Sequence, residues 1–280
     1  MDQQEKPKIL FPYDFSPESD YSMQYLIGLT KVFNYSIEIL NILDPGTRKY
    51  MRDNKLSKAS LIERVSTMAN EFQENHGVPA TYLVKNVPIK RIRKISEREK
   101  VSFTFLAINE PQKMASRIMK VVTTSPVPAL VVQNGVDYKP FKNIIFPLDD
   151  SISSRQKAGW ALRFAKKSNA TIHIFSVNPA SLNSKEKERK QFKVIDTVEQ
   201  FFAKNHVSYE SEISQGNYND FDNDILKYAE KVSADLYIIM IPKKIFNSMR
   251  QLDFNLIFNP KKIPVLCVNQ RDLFVGGGFN

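Results

Sequence analysis

The chain has one cysteine, Cys267, among 280 residues, so no internal disulfide can staple it. The thiol stands in the apolar run Pro264-Val265-Leu266-Cys267-Val268, where a buried, inert side chain is expected. No apolar run approaches the roughly 20 residues of a membrane span. The opening Met-Asp-Gln-Gln-Glu-Lys-Pro-Lys lacks the apolar stretch of a signal peptide. The expectation is a cytoplasmic protein with no membrane partner. Only three histidines occur, His76, His173 and His206, and none has metal-ligand spacing to another or to Cys267. A zinc site is not expected. The sequence contains no G-x-S-x-G elbow and no Walker A loop. No pair of carboxylates can be placed across a substrate by spacing alone. Catalysis is therefore not expected.

Positive charge is plentiful. The net charge is +10 and the sequence pI about 9.4. These cations are scattered among acids, as in Lys185-Glu186-Lys187-Glu188-Arg189-Lys190, which alternates like an exposed helix face. No basic motif interleaved with aromatics is present to stack RNA bases. The pattern favours a solvated surface over a nucleic-acid partner, with polyanion binding through that surface as the alternative.

The strongest internal signal is a duplication. Phe11-Pro12-Tyr13-Asp14-Phe15-Ser16 returns as Phe146-Pro147-Leu148-Asp149-Asp150-Ser151, an offset of 149 − 14 = 135 residues. The same offset relates Asn34-Tyr35-Ser36-Ile37 to Asn169-Ala170-Thr171-Ile172. Pro128-Ala129-Leu130-Val131-Val132 answers Pro264-Val265-Leu266-Cys267-Val268 at an offset of 264 − 128 = 136. The period is too long for a solenoid repeat of about 20–50 residues, so each copy reads as a domain with its own core. The expected boundaries are 1–136 and 140–270, with 271–280 a frayed tail despite its glycine triplet.

Within the first copy, strands are expected at 8–13, 37–42, 81–84, 101–108 and 128–132, with helices between them. Ser16 and Pro17 suit the cap and first position of a helix whose apolar pattern includes Tyr21, Tyr25, Leu26 and Leu29. Asp44-Pro45-Gly46 reads as a breaker. The second copy repeats the order, with its first helix expected at 154–167. Strands alternating with helices predict two doubly wound five-stranded parallel-sheet α/β domains.

Each copy resembles the universal stress protein domain. The resemblance is carried by Ile9 to Ser16 and Ser125 to Val132, and by Ile144 to Ser151 and Lys262 to Val268. It covers nearly the whole chain, twice, and implies a tandem protein. It implies the adenine nucleotide alpha hydrolase-like fold with strand order 3-2-1-4-5. It also implies that the two domains pair through their fifth strands; whether that pair forms a homodimer is left open. ATP-binding members carry G-x2-G-x9-G-[ST] after the fourth strand, where glycines let backbone N–H groups approach phosphate. This chain has no glycine from Asn109 to Pro128, and none from Ile241 to Pro264. The expectation is a stress-response binding or interaction module with unidentified protein partners and no cofactor, and not an enzyme. The alternative is an ATP- or AMP-binding sensor, or slow ATPase, that uses a remodelled loop in the second domain. Candidate ligand-binding residues are Asp14 and Asp149 after the first strands, and Lys243 and Lys244 after the second copy's fourth strand. For both aspartates, capping the following helix is an equal expectation.

Overall fold

The computed structural model describes residues 6–88, 91–108, 111–149, 152–241 and 251–270. The chain divides into two compact units, Met1–Lys139 and Pro140–Asn280.

In the first unit the strands are β1 (Lys8–Pro12), β2 (Ser36–Ile42), β3 (Ala80–Lys85), β4 (Val101–Ile108) and β5 (Ala129–Gln133). The helices are α1 (Pro17–Phe33), α2 (Pro45–Asp53), α3 (Lys58–His76), α4 (Ile92–Arg98) and α5 (Pro111–Thr124). All strand pairs are parallel and the order is β3-β2-β1-β4-β5. That is the expected 3-2-1-4-5 order. The second unit has β6 (Asn143–Leu148), β7 (Thr171–Ser176), β8 (Tyr209–Ile213), β9 (Leu236–Ile241) and β10 (Val265–Asn269). Its helices are α6 (Ala158–Ser168), α7 (Lys185–Lys204), α8 (Phe221–Lys231) and α9 (Gln251–Ile257). Its sheet runs β8-β7-β6-β9-β10, again parallel throughout. The central strands are apolar because a doubly wound sheet is covered on both faces. Ile9, Leu10, Phe11, Ile144, Ile145 and Phe146 are fully buried.

The helix boundaries follow local chemistry. Ser16, Ser57 and Ser184 each accept a backbone N–H at the start of α1, α3 and α7, satisfying donors that no helical carbonyl can reach. Asn34 and Asn169 close α1 and α6 in the left-handed region, at φ 57° and 53°. This is the structural cause of their recurrence 135 residues apart. Cys267 is buried, as expected.

Three expectations are corrected. Asp44-Pro45-Gly46 opens a helix: the Asp44 side chain accepts the Thr47 N–H at 2.9 Å and Pro45 takes the first position of α2. The same residues that break a strand can start a helix. The segment expected as one helix from 154 is a 3-10 turn, Ile152–Lys157, running into α6. Tyr21, placed in the apolar pattern of α1, is 68% exposed.

The outer strands differ between the units. Among the described residues β3 pairs only with β2, and its exposed positions are Thr81 and Tyr82. Among the described residues β8 pairs only with β7; its exposed positions are Glu210, Ser211 and Ile213, and Glu212 is half-buried. The connecting segment is anchored to the first unit by Tyr138. Its ring packs edge-on against Tyr25, with centroids 5.2 Å apart, and lies directly over Gly28 in the middle of α1. Burial pushes the Tyr138 phenol up to about 12.

Candidate functional site

In an open parallel sheet the ligand crevice lies beyond the carboxyl ends of the strands, where the strand order reverses. Here that point falls between β1 and β4, and between β6 and β9. Asp14 and Asp149 stand just past the ends of β1 and β6.

Asp14 is engaged locally. Its Oδ1 accepts the Ser16 N–H at 3.2 Å and the Ser19 hydroxyl at 2.8 Å, while Ser19 N–H goes to Ser16 Oγ. Asp14 thus braces the start of α1. Tyr13, 5% exposed, donates its hydroxyl to Asp20 on the next turn. Burial, reinforced by that carboxylate, pushes the Tyr13 phenol well above its ordinary value. Phe15 has φ 61°, a left-handed conformation that costs a residue with a Cβ roughly 1–2 kcal/mol. It turns its ring onto Tyr50 of α2, stacked with centroids 4.5 Å apart and 6° between planes. Tyr13 meets the same ring edge-on. Arg64 of α3 holds the Tyr50 hydroxyl at 2.6 Å. Aromatic side chains of the unit itself therefore bridge the carboxyl ends of β1 and β2.

The second unit fills the corresponding place with polar groups. Lys157, only 2% exposed, donates its ammonium to the Pro147 carbonyl and lies over the Phe146 ring, 4.7 Å from its centroid. Gln191 of α7, 1% exposed, donates from Nε2 to the Leu148 carbonyl at 3.2 Å. Asp149 is 7% exposed at the end of the same strand. Lys243 and Lys244, and the loop they belong to, lie outside the described residues.

One arrangement recurs in both units. In the first unit, Asn41 on β2 donates to the Tyr13 carbonyl at 2.9 Å. In the second, Gln191 serves the equivalent Leu148 carbonyl from a helix. In each case the amide oxygen, Asn41 Oδ1 or Gln191 Oε1, is buried with no donor facing it. Sequence reading missed Asn41, Lys157 and Gln191. Their spacing from the duplicated motif carries no signal, because different elements deliver them. Among the described residues no group of three His, Cys, Asp or Glu side chains could hold a metal ion. No helix among them is long and apolar enough to cross a membrane.

His173 is buried on β7. Its Nε2 lies 3.0 Å from Asn143 Oδ1, and its Nδ1 lies 3.2 Å from the Tyr228 hydroxyl and 3.4 Å from the Glu210 carboxylate. Nε2–H donating to Asn143 and the Tyr228 hydroxyl donating to Nδ1 is the neutral arrangement. Burial lowers the His173 pKa, with Glu210 opposing.

No protein-family model matches the sequence, and no curated protein matches it. Solved structures do. A universal stress protein from Archaeoglobus fulgidus DSM 4304 superposes with TM-score 0.72 at 18% identity, covering 94% of this chain and 98% of that one. A functionally unknown protein from Pseudomonas aeruginosa PAO1 follows at TM-score 0.62 and 15% identity, covering 95% and 93%. A protein of P. aeruginosa UCBPP-PA14, provisionally named a universal stress protein, gives 0.61 at 16%, covering 95% and 94%. At these identities the likeness is one of fold. The chain has the two-unit α/β fold of these universal stress proteins.

Proposed function

We propose that this chain is a stress-response interaction module of the universal stress protein type, not an enzyme, and that it does not bind ATP in the family manner. The observation that carries this reading is that the chain's own side chains cover the carboxyl end of the first strand of each sheet. Phe15 and Tyr50 stack across the ends of β1 and β2, and Lys157 and Gln191 are buried on the last carbonyls of β6. Both loops after the fourth strands also lack glycine, the residue that most readily lets backbone N–H groups approach phosphate. Binding capacity then rests with protein partners that read the outer surface.

A second reading is favoured by the donorless oxygens of Asn41 and Gln191. Buried acceptors left without a donor are costly, and a ligand amino group or an ordered water would satisfy them. In this reading an adenine nucleotide binds, with Lys243 and Lys244 taking its phosphates.

The test is the thermal midpoint with and without millimolar Mg-ATP, ADP and AMP. A ligand present at about 100 times its dissociation constant adds roughly 2.7 kcal/mol, a shift of several degrees. The expected result is no shift with any nucleotide. A shift that disappears in Lys243→Ala/Lys244→Ala would replace the first reading with the second.

A further inference from the structure

The opposite end of the first sheet carries a cleft of about 280 Å³, lined by Lys6, Pro7, Lys8, Arg98, Glu99 and Lys100. It lies at the amino ends of β1 and β4, away from the crevice. Its backbone is fixed on both sides. Ser36 N–H donates to the Pro7 carbonyl at 3.0 Å, and Lys100 makes a left-handed turn, φ 51°, between α4 and β4.

The charge balance there is uneven. Lys8 lies 3.7 Å from Glu38, and Arg98 lies 3.6 Å from Glu99. Among the described residues Lys6 and Lys100 make no ion pair, which leaves two cations of the cleft with no carboxylate beside them. The second unit serves as an internal comparison. The register pairs Ile9 with Phe103, and Ile144 with Leu236, so Asp235 holds the place of Ser102. Asp235 turns its carboxylate back onto the N–H groups of Lys142 and Asn143, at 2.7 and 3.0 Å. The positions equivalent to Lys6, Lys8 and Lys100 are Phe141, Asn143 and Ser233, all uncharged. One copy of the fold thus closes this end with its own anion. The other has Ser102 at that place and carries Lys6, Lys8 and Lys100 where the second unit is uncharged, while the second unit's own cations, Lys142 and Lys231, stand at the places of Pro7 and Arg98.

We propose that this cleft binds a small phosphorylated anion, one or two phosphoryl groups in size. Its volume is at the lower limit of small-ligand pockets, which favours a compact anion over a nucleic-acid strand. Lysine ammoniums serve as point charges for phosphate and need no bidentate geometry.

The experiment is an amide chemical-shift titration of the full chain with inorganic pyrophosphate at fixed ionic strength. Saturable shifts confined to residues 6–9 and 98–102 are expected. Lys6→Glu/Lys100→Glu, both exposed sites, should weaken binding at least tenfold, while Lys166→Glu/Lys167→Glu in the second unit leaves it unchanged. No saturable shift would overturn the proposal, as would equal weakening by the two pairs. Tighter binding of a short thymidine oligonucleotide than of pyrophosphate, falling steeply with salt, would also overturn it in favour of a nucleic-acid surface.

Discussion

Replacing Gly28 by alanine should destabilise the first unit, although helix propensity says the opposite. Gly28 lies inside α1, where alanine is worth about 1 kcal/mol more than glycine. A Cβ placed there, however, meets the Tyr138 ring close to its root, with Cγ at 2.7 Å and Cβ at 2.9 Å. Those atoms cannot swing away as a flexible tip would. Forcing a methyl into such a contact costs about 1–3 kcal/mol. The two terms oppose, and the net effect is a loss of up to about 2 kcal/mol. In a Tyr138→Ala background the steric term vanishes and Gly28→Ala should stabilise by about 1 kcal/mol. The sign change is the prediction. Urea unfolding of the parent, both single variants and the double variant, followed by circular dichroism, gives the coupling energy. The only tryptophan, Trp160, lies in the second unit, so its fluorescence transition should stay in place across all four proteins. Equal stabilisation by Gly28→Ala in both backgrounds would refute the argument that Tyr138 clamps α1.

The buried neutral His173 makes stability depend on pH. Its folded pKa lies below the unfolded value of about 6.5, so its contribution is complete above that value and declines as pH falls through it. The urea midpoint should therefore drop more between pH 7.5 and 5.5 in the parent than in His173→Gln; equal drops would remove His173 from the account. Lys157→Met deletes a charge-assisted hydrogen bond to the Pro147 carbonyl and should cost about 1.5–3 kcal/mol, read from the Trp160 fluorescence transition; an unchanged midpoint would show that desolvation of the ammonium had cancelled the bond. Asp14→Ala removes the acceptor of Ser16 N–H and the Ser19 hydroxyl and should lower stability by about 0.5–2 kcal/mol, measured by urea titration; a negligible loss would leave Asp14 open for a ligand role.

The fold was legible because its signals are local and occur twice. The Ser16 cap, the recurrence of Asn34 and Asn169, and apolar β-branched strands need only a few neighbouring residues to identify them. Asp44-Pro45-Gly46 opens α2 although it reads as a breaker, because turns and helix starts use the same chemistry. Tyr21 fitted the apolar period of α1 and nonetheless faces water, since period alone does not fix the width of the buried stripe. The crevice was legible only in position. Asp14 and Asp149 stand where the repeat puts them, but what covers the ends of the first strands comes from Tyr50, Lys157 and Gln191, which meet those strands only through tertiary packing. A lysine 2% exposed reads, in sequence, like any other lysine.

The outer strands give the two units different prospects before folding is complete. Glu210 and Glu212 place negative charge along β8, which discourages any second strand from adding there. β3 offers Thr81 and Tyr82 with no charge before Lys85. It also belongs to the half of the chain that leaves the ribosome first, when no second unit yet exists. β3 is thus the less guarded edge on a nascent chain, and a single acidic residue at position 82 would give it a charge of the kind that Glu210 supplies on β8.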